Sequence, residues 1–497
     1  MTSNSKQILQ KVQEYRSKKL FVNAAFLLRE ALEKEPDSQE LRFAYAQVSG
    51  ESRDFYTAAT VFDELVHLNA EHPVYLVESA NAWSRLGEID KAVQYCQEAV
   101  RLTNSGHKSV ISLANIYEQN NRWEEAESLL LNSKDNLVEN GNYQRLRVRI
   151  LMAQKKFSEA IDQLNQFLKI ETNTVNQVKL LFLMSKVFDQ LGEFDNAWGA
   201  ASKAHELDGT DFDEHSYLKS YEEMRAFLTK EVVDSLAKGV PEQGMIEPLF
   251  VVSSPRSGTS LLEQIMGMHP DIENGGEMPS GSLIQNQVPL VTDSFHQWPM
   301  SLVDLTPSDV NSLAKQYHSH CDFFKGTSRI VSNKALNLYP QLGFLSLVLP
   351  NSRAVFLHRN PLDHAVSCFT NNLLEAGLPY TNSIETIGKV WIERYKMAQH
   401  WQDTLPIKML VMNYEELVEN QRSETERLLE FLDVPWHDDC MEFHKSKRIA
   451  RTISYNQVNQ KMYSSARGRW KNYEKHLGPL IDVLGSFAEY PPSIHSQ

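Results

Sequence analysis

The residues best suited to chemistry lie in a turn between two apolar runs. An apolar run at 248–253 leads into a turn of serine, proline, arginine, glycine and threonine at 254–260, and an apolar helical pattern continues to 265. This order predicts a strand, a turn and a helix. Backbone N–H groups in such a turn and at a helix start attract an anion of the phosphate type. The candidate anion-binding residues are Arg256, Ser257, Gly258, Thr259, Ser260 and Leu261.

This turn differs from the phosphate-binding loop of nucleoside triphosphatases. That loop ends in Gly-Lys-Ser/Thr, where the lysine reaches the β- and γ-phosphates and the hydroxyl meets Mg²⁺. Here Thr259 follows Gly258, and the one arginine of the turn, Arg256, comes before the glycine. The sequence therefore disfavours a nucleotide kinase or triphosphatase, which we keep as the weaker alternative.

A second strand, turn and helix pattern follows about a hundred residues later. An apolar run at 353–358 leads to Arg359, and Asn360-Pro361 marks a turn because a residue before proline avoids helical geometry. Ser367 lies about two turns into the following helix. Arg359 and Ser367 can therefore reach the same anion.

A third group of basic residues lies near the C-terminus. Arg467, Arg469 and Lys471 fall within five positions, beside Gly468 and Trp470, and form no apolar helical face. Guanidinium groups pair with phosphate oxygens and stack on aromatic bases. This composition is typical of a loop that covers a charged nucleotide.

Together these segments resemble the sulfotransferases that use 3′-phosphoadenosine 5′-phosphosulfate (PAPS), in particular the protein-tyrosine and the bacterial tetratricopeptide-linked types. The resemblance covers nearly the whole chain. It implies that the turn with Arg256 grips the 5′-phosphate, and that Arg359 and Ser367 bind the 3′-phosphate. The cofactor contacts that it adds near the C-terminus are Arg467, Gly468 and Arg469.

The resemblance also assigns catalytic residues. Gly275 and Gly276 let a tight loop present Glu277, which aligns with the general base of the protein-tyrosine enzymes, although Gly276 replaces their first glutamate. Lys334 keeps an Asn-Lys pattern and would stabilise the leaving oxygen, and Ser454 lies in a shared Ser-x-x-Gln-Val pattern. The predicted catalytic residues are Glu277, Lys334, Arg256 and Ser454.

Strand-like and helical runs alternate through the C-terminal half. The strand-like runs are 248–253, 328–331, 354–357 and 408–412, and helical patterns include 261–268 and 423–432. The alternation predicts a P-loop-like α/β domain with a mostly parallel sheet and helices on both faces. Ligands of such sheets bind at the carboxyl ends of the strands, where the candidate residues fall.

Alanines recur in the N-terminal half with a period of thirty-four residues. The repeated residues are Ala24, Ala58, Ala92, Ala126 and Ala160, followed by Ala197 after a slip of three residues. A small residue at a helix crossing with this period is typical of tetratricopeptide repeats. We therefore expect a helical solenoid of about six repeats at 1–212, connecting helices and a linker at 213–244, and a PAPS-dependent sulfotransferase domain at 245–497.

Charge and cysteine usage narrow the class of protein further. The formal net charge of −14 predicts no general attraction to nucleic acid or to an anionic membrane. No window reaches membrane-spanning length, and the four cysteines form no Cys-x-x-Cys pair, so we expect reduced thiols in a cytoplasmic protein. His437, Cys440 and His444 lack a second half-site, so we expect no metal.

The sequence does not identify the acceptor of the sulfuryl group, because the loops at 279–299 and 373–386 carry no residues that indicate a particular acceptor. A protein tyrosine, a glycan and a small metabolite all stay open. The repeats bind a peptide, such as the acceptor, or brace a neighbouring domain or a second copy in a homodimer. The main alternative to an enzyme is a non-catalytic scaffold with a vestigial nucleotide-binding domain.

Overall fold

The computed structural model describes residues 3–18, 20–133, 137, 139–241, 244–322, 324, 328–445 and 467–489. The chain divides into two compact units, Met1–Gly192 and Glu193–Gln497. The helix that starts at Phe194 therefore belongs to the C-terminal unit, whereas the alanine period predicts it as part of the repeats. The boundaries proposed there at 212 and 244 stay predictions.

The N-terminal unit consists of helices joined by short turns. They are α1 (Ser3–Ser17), α2 (Phe21–Lys34), α3 (Gln39–Glu51), α4 (Phe55–Leu68), α5 (Pro73–Leu86), α6 (Ile89–Leu102), α7 (His107–Gln119), α8 (Trp123–Leu131), α9 (Gly141–Ala153), α10 (Phe157–Ile170) and α11 (Thr174–Gln190). Every second helix, from α2 to α10, begins three residues before a repeated alanine. Those alanines are fully buried, as a close crossing of paired helices requires. The predicted helical repeat is confirmed.

The C-terminal unit combines helices with a sheet. Its α-helices are α12 (Phe194–Asp208), α13 (Glu214–Phe227), α14 (Lys230–Ser235), α15 (Thr259–Met266), α16 (Ser280–Gln285), α17 (Val288–Thr292), α18 (Pro307–Asp322), α19 (Leu338–Val348), α20 (Pro361–Phe369), α21 (Ile384–Thr404), α22 (Tyr414–Glu419), α23 (Gln421–Phe431) and α24 (Gly478–Leu484). Its 3-10 helices are Met300–Asp304, Pro379–Asn382, Asp438–Lys445, Arg469–His476 and Gly485–Glu489. The strands are β1 (Glu247–Val252), β2 (Ile272–Asn274), β3 (Ile330–Asn333), β4 (Arg353–His358) and β5 (Lys408–Asn413).

Within the described residues the strands form one sheet in the order β2-β3-β1-β4-β5, and all four pairings are parallel. Alternate residues of β1 enter two different cores: Phe250 and Val252 pack on one face, and Leu249 and Val251 on the other. A parallel sheet buried on both faces explains the continuous apolar runs of β1 and β4. The predicted parallel sheet with helices on both faces is confirmed.

Strand β2 was not predicted, because the sequence analysis assigned the residues before Glu277 to a loop. The strand is only three residues long, has Glu273 at its centre and pairs with β3 alone. A short edge strand with a charged residue gives almost no periodic signal. Among the described helices, none combines the length and the apolar character needed to cross a lipid bilayer.

Candidate active site

The turn that follows β1 has a backbone that few residues tolerate. Gly258, the N-cap of α15, has a φ of 95°, and a Cβ there would lie 2.3 Å from the Tyr414 ring. Arg256 also adopts a positive φ, of 64°. Glycine at 258 is therefore required by both its backbone and its close approach to Tyr414. The turn places the first amides of α15 at the carboxyl edge of the sheet, where an anion would meet them.

Most side chains that follow Arg256 in this turn are buried, and one is partly exposed to solvent. Ser257 and Ser260 are buried, and Thr259 is partly exposed. The Leu261 side chain joins the core below the sheet, and its N–H donates to the Gly258 carbonyl at 3.0 Å. Leu261 thus packs the helix against β1, and its part in anion binding stays a prediction.

The two arginine motifs meet, although 103 residues separate them. Arg359 follows the end of β4, and its Nη1 donates to the Arg256 carbonyl at 2.7 Å. Arg256 Nε in turn donates to Ser367 Oγ, on α20, at 3.1 Å. Arg256, Arg359 and Ser367 therefore form one connected group, which brings together the residues that the sequence assigned to two ends of a nucleotide.

Tyr414 lies between the two motifs at the start of α22. The Arg359 guanidinium sits over its ring at 4.9 Å from the centroid, within range of a cation–π interaction. Burial raises the pKa of the Tyr414 hydroxyl, and the positive charge of Arg359 opposes that shift. The uncharged Tyr414 ring therefore packs against both Arg359 and Gly258.

Glu277 and Lys334 come from the carboxyl ends of two neighbouring strands, β2 and β3. Lys334 Nζ lies 3.5 Å from Glu277 Oε1, and its side chain is only 4% exposed while that of Glu277 is 28% exposed. The Lys334 N–H donates to the Gly276 carbonyl at 2.8 Å, so backbone and side chain both join the two strand ends. A carboxylate open to solvent beside a buried ammonium can receive a proton from a hydroxyl group.

Glu263, on α15, holds this pair in place and was missed by the sequence analysis. Its Oε1 accepts the Gly276 N–H at 2.9 Å and the Ser332 hydroxyl at 3.0 Å. Its Oε2 lies 3.8 Å from Lys334 Nζ. Glu263 therefore links the helix that follows the anion-binding turn to the loop that carries Glu277.

The C-terminal basic segment is described from residue 467 onward. Arg467 is half exposed and pairs with Glu419 at 2.7 Å, while Gly468 and Arg469 are partly buried. The Gly468 N–H donates to Asp363, in the first turn of α20, at 2.7 Å. The segment thus lies next to the helix that carries Ser367. Ser454 lies outside the described residues.

Buried positive charge surrounds this edge of the sheet. Arg394 is 3% exposed and donates to the hydroxyls of Tyr221 and Tyr380, and no carboxylate of the described chain forms an ion pair with it. Burial, together with the nearby charges of Arg394 and Arg359, lowers the pKa of His364 to about 3. The guanidiniums of Arg394, Arg359 and Arg256 therefore all act on the buried His364 ring.

The donors present here fit a nucleotide with two anionic ends. Amides at a helix start, hydroxyls and guanidiniums all favour phosphate or sulfate oxygens. Among the residues that the structure describes, no group of three His, Cys, Asp or Glu side chains could hold a metal ion. Burial raises the pKa of the Cys440 thiol to about 11.

The residues that sequence reasoning missed share one property: their partners are distant in the chain. Glu263 bonds to Gly276 and Asp363 bonds to Gly468, 13 and 105 residues away. The sequence signal that could have identified such a residue is a carboxylate on an otherwise apolar helix face, because a buried carboxylate needs a hydrogen-bond or ion-pair partner.

Two family models match the chain. One, described as Sulfotransferase family, matches residues 248–438, which include the turn with Arg256 and the residues Glu277, Lys334, Arg359 and Ser367. The other, described as Tetratricopeptide repeat, matches residues 109–140. The predicted relationship to sulfotransferases and to tetratricopeptide proteins is therefore confirmed.

Similar proteins cover parts of the chain. An uncharacterized protein of Aquifex aeolicus (strain VF5) is 29% identical over 314 residues, which are 61% of this chain and 41% of that protein. Protein-tyrosine sulfotransferase A of Caenorhabditis elegans is 22% identical over 214 residues, 43% of this chain and 56% of its own. A solved sulfotransferase domain, from the Synechococcus PCC 7002 olefin synthase, is 16% identical, covers 51% of this chain and 98% of its own, and superposes with a TM-score of 0.36. The chain spans about half the length of these two curated relatives.

Proposed function

We propose that the C-terminal unit transfers the sulfuryl group of PAPS to an acceptor hydroxyl. The observation that carries the proposal is the connected group of Arg256, Arg359 and Ser367, which joins two anion-binding motifs at one edge of a parallel sheet. The match of this region to the sulfotransferase family supports it. Two anion-binding motifs that meet at one edge of the sheet suit a nucleotide with phosphates at both its 3′ and 5′ positions.

The chain's own residues would hold the two ends of PAPS differently. Arg256 and the amides at the start of α15 would hold the 5′-phosphate, with the hydroxyls of Ser257, Thr259 and Ser260 as further donors. Arg359 and Ser367 would hold the 3′-phosphate. The segment that completes the 3′ side contains Arg467, Gly468 and Arg469.

Glu277 and Lys334 would then divide the chemical work. When bound, PAPS supplies an activated sulfuryl group, whose sulfur accepts the hydroxyl oxygen as its bond to the 5′-phosphate oxygen breaks. Glu277 takes the proton of the acceptor hydroxyl, since it is the more exposed member of the pair. Lys334 and Arg256 offset the negative charge that develops on the leaving oxygen, which is the electrostatic share of catalysis. Ser454 would donate a hydrogen bond to the transferring group.

A nucleotide kinase or triphosphatase is less well supported. Its phosphate loop needs a lysine directly after the glycine, to reach the β- and γ-phosphates. Thr259 occupies that position, and the buried Lys334 comes instead from the end of β3, where it is paired with Glu277 and Glu263.

We also propose that the repeats hold a peptide, either the acceptor or a partner. The N-terminal unit contains a groove of about 610 Å³, lined by aromatic, amide and charged side chains such as Phe43, Tyr75, Gln13 and Arg16. Such a mixture suits an extended peptide with polar side chains. The compartment we propose is the cytoplasm, where the four buried free cysteines would stay reduced.

Transfer of label from ³⁵S-labelled PAPS to a lysate of the source organism tests the proposal. Sizing the labelled product separates a protein, a glycan and a small-molecule acceptor. The proposal predicts a labelled product that depends on the added protein. PAPS binding without transfer to any fraction would favour the non-catalytic scaffold, and the absence of PAPS binding would contradict the proposal.

A further inference from the structure

The carboxylate of Asp363 joins the C-terminal segment to helix α20. Asp363 is 3% exposed, and its two oxygens accept the N–H groups of Gly468 at 2.7 Å and Trp470 at 2.8 Å. A buried carboxylate is costly unless hydrogen-bond donors satisfy it, so both bonds matter to the folded state. They fix the backbone at 468–470 against α20.

These two amides belong to the start of a helix. Gly468 is the N-cap of the 3-10 helix Arg469–His476, has a φ of 68°, and has no side chain to cap it. Asp363 supplies from another element the acceptor that an N-cap side chain usually supplies. The backbone on both sides of Arg469 is therefore held by α20, which follows Arg359 and carries Ser367.

The other end of the same 3-10 helix packs on α12. The His476 ring stacks on Trp198 with 4.9 Å between centroids and 5° between planes. Lys475 pairs with Asp195, and His476 Nε2 lies 3.0 Å from the same carboxylate. Trp198 also stacks on Phe369, the last residue of α20, at 4.4 Å. The tryptophan thus contacts both elements that flank the 3′-phosphate side.

Helix α12 follows the pattern of the repeat helices. It begins at Phe194, and Ala197, the residue in the repeated alanine position, is fully buried. Trp198 is therefore the neighbour of a repeat residue, yet it packs on the nucleotide-binding elements of the C-terminal unit.

We propose that Asp363 and Trp198 are positioning residues for the 3′-phosphate of the nucleotide. Asp363 holds the segment 467–470 beside Arg359 and Ser367. Trp198 packs between the C-terminal end of the 3-10 helix and the last residue of α20. A repeat-type helix thereby becomes a structural part of the nucleotide site. This inference rests on the proposed function, because it takes that site to bind a 3′-phosphorylated nucleotide.

A comparison of two nucleotides tests the inference in the full chain. Titration calorimetry measures the binding of 3′,5′-bisphosphoadenosine and of 5′-AMP, which lacks only the 3′-phosphate, to Asp363→Ala and Trp198→Ala variants. Each variant should weaken binding of the bisphosphate about tenfold or more and change that of AMP less than about twofold. A merely structural role would weaken both nucleotides alike, so equal losses, or no loss, would overturn the inference.

Matched variants guard against misfolding. Asp482→Ala removes an exposed aspartate of α24 in the same unit and should leave both affinities unchanged. Asp363→Asn keeps one acceptor oxygen for the Gly468 and Trp470 amides, so it should give a smaller loss that is again confined to the bisphosphate. An Asn variant with unchanged bisphosphate affinity would count against the inference even if the Ala variant does not fold.

The same titrations separate this inference from the proposed function. If the unmodified chain binds neither nucleotide, the proposed function is wrong and the inference falls with it. If the unmodified chain binds the bisphosphate and both substitutions leave that affinity unchanged, only the positioning role is wrong.

Discussion

Arg359 contacts two parts of the site that the sequence treats as separate. Its guanidinium donates to the Arg256 carbonyl, inside a turn where Arg256 has a positive φ, and also lies over the Tyr414 ring. A bond to the carbonyl stabilises that sparsely populated backbone conformation. One side chain therefore stabilises the turn that the proposed function assigns to the 5′-phosphate, and the same function assigns its charge to the 3′-phosphate.

The substitution Arg359→Ala removes a charged donor from the site. We expect it to weaken 3′,5′-bisphosphoadenosine binding by about 1.5–3 kcal/mol, the range of a hydrogen bond to a charged group. Titration calorimetry measures the change. Arg422→Ala, which removes a mostly exposed arginine of α23, is the control and should leave the affinity unchanged. Unchanged affinity in the Arg359 variant would reject its placement at the nucleotide.

The substitution Glu277→Gln tests the general base. The amide keeps the size of the side chain but cannot take a proton, so turnover should fall by about a hundredfold or more with little change in nucleotide affinity. The rate of ³⁵S transfer and bisphosphate calorimetry give the two readouts. Glu430→Gln, on the exposed face of α23, is the matched control. A fully active Glu277 variant would remove the base assignment.

At the scale of single residues, the sequence predicts side chains that belong to local patterns. Arg256 and Arg359 each follow an apolar strand and precede a helix, so their position at a strand end is legible. Glu263 and Asp363 carry no such mark, because their partners Gly276 and Gly468 are brought to them only by the tertiary fold. Buried polar partnerships of this kind are decided by packing and not by neighbours in the chain.

At the scale of elements, the anion-binding turn depends on its contact with α22. Gly258 lies against the Tyr414 ring, and that ring supports Arg359. A change in the turn therefore reaches Arg359 through one aromatic side chain.

The substitution Gly258→Ala places a methyl group in that contact. The new Cβ would lie 2.3 Å from the tyrosine ring, at a φ of 95° that alanine rarely adopts. We expect a loss of about 1–3 kcal/mol in the free energy of unfolding and at least about tenfold weaker bisphosphate binding. Chemical denaturation and calorimetry measure these effects.

Gly478→Ala is the matched control, since a Cβ at that position meets nothing within 4 Å. It should change neither stability nor affinity by a measurable amount. Equal behaviour of the two variants would contradict the role given to the contact between Gly258 and Tyr414.

The sequence predicts four strands of the sheet but not the edge strand β2. β1, β3 and β4 are buried along almost their whole length, which gives such strands an apolar character in the sequence. The predicted helical runs 261–268 and 423–432 lie within two residues of α15 and α23. Strand β2 lacks an apolar run, yet its pairing with β3 sets the position of Glu277: the Gly275 N–H donates to the Ser332 carbonyl at 3.0 Å. The position of β2 depends on backbone pairing, and the periodicity of side chains in the sequence does not report that pairing.

At the scale of the whole molecule, buried neutral histidines tie stability to pH. Burial lowers the pKa of His358 to about 4 and that of His364 to about 3, whereas an unfolded histidine titrates near 6.5. The unfolded state therefore binds more protons below about pH 6.5. The stability that these groups contribute is complete above that pH and is lost as the pH falls towards their folded-state pKa values.

The expected loss at pH 5 is about 2 kcal/mol per histidine, because each pKa unit is worth about 1.4 kcal/mol. Urea unfolding of the C-terminal unit at pH 7.5, 6 and 5 measures it. His364→Gln should reduce the loss of stability between pH 7.5 and 5 by about 2 kcal/mol, and His296→Gln, at an exposed position, should not. A His364 variant with the original slope would contradict the assignment.

The repeat architecture is the part of the molecule that the sequence predicted best. The period of the alanines is a local and repeated signal, and each alanine through Ala197 is fully buried in a helix that starts three residues earlier. The chain divides into its two compact units after Gly192, although Phe194 and Ala197 continue the repeat pattern into the C-terminal unit. Packing by residues such as Trp198, which are outside the pattern, decides where that helix belongs.

The central claim is that one nucleotide with phosphates at both its 3′ and 5′ positions bridges the two arginine motifs. Titration of 3′,5′-bisphosphoadenosine into the full chain, beside a matched titration of ATP with Mg²⁺, tests it most directly. We expect saturable binding of the bisphosphate, at least about tenfold tighter than that of ATP. No binding of the bisphosphate, or tighter binding of ATP with Mg²⁺, would contradict it.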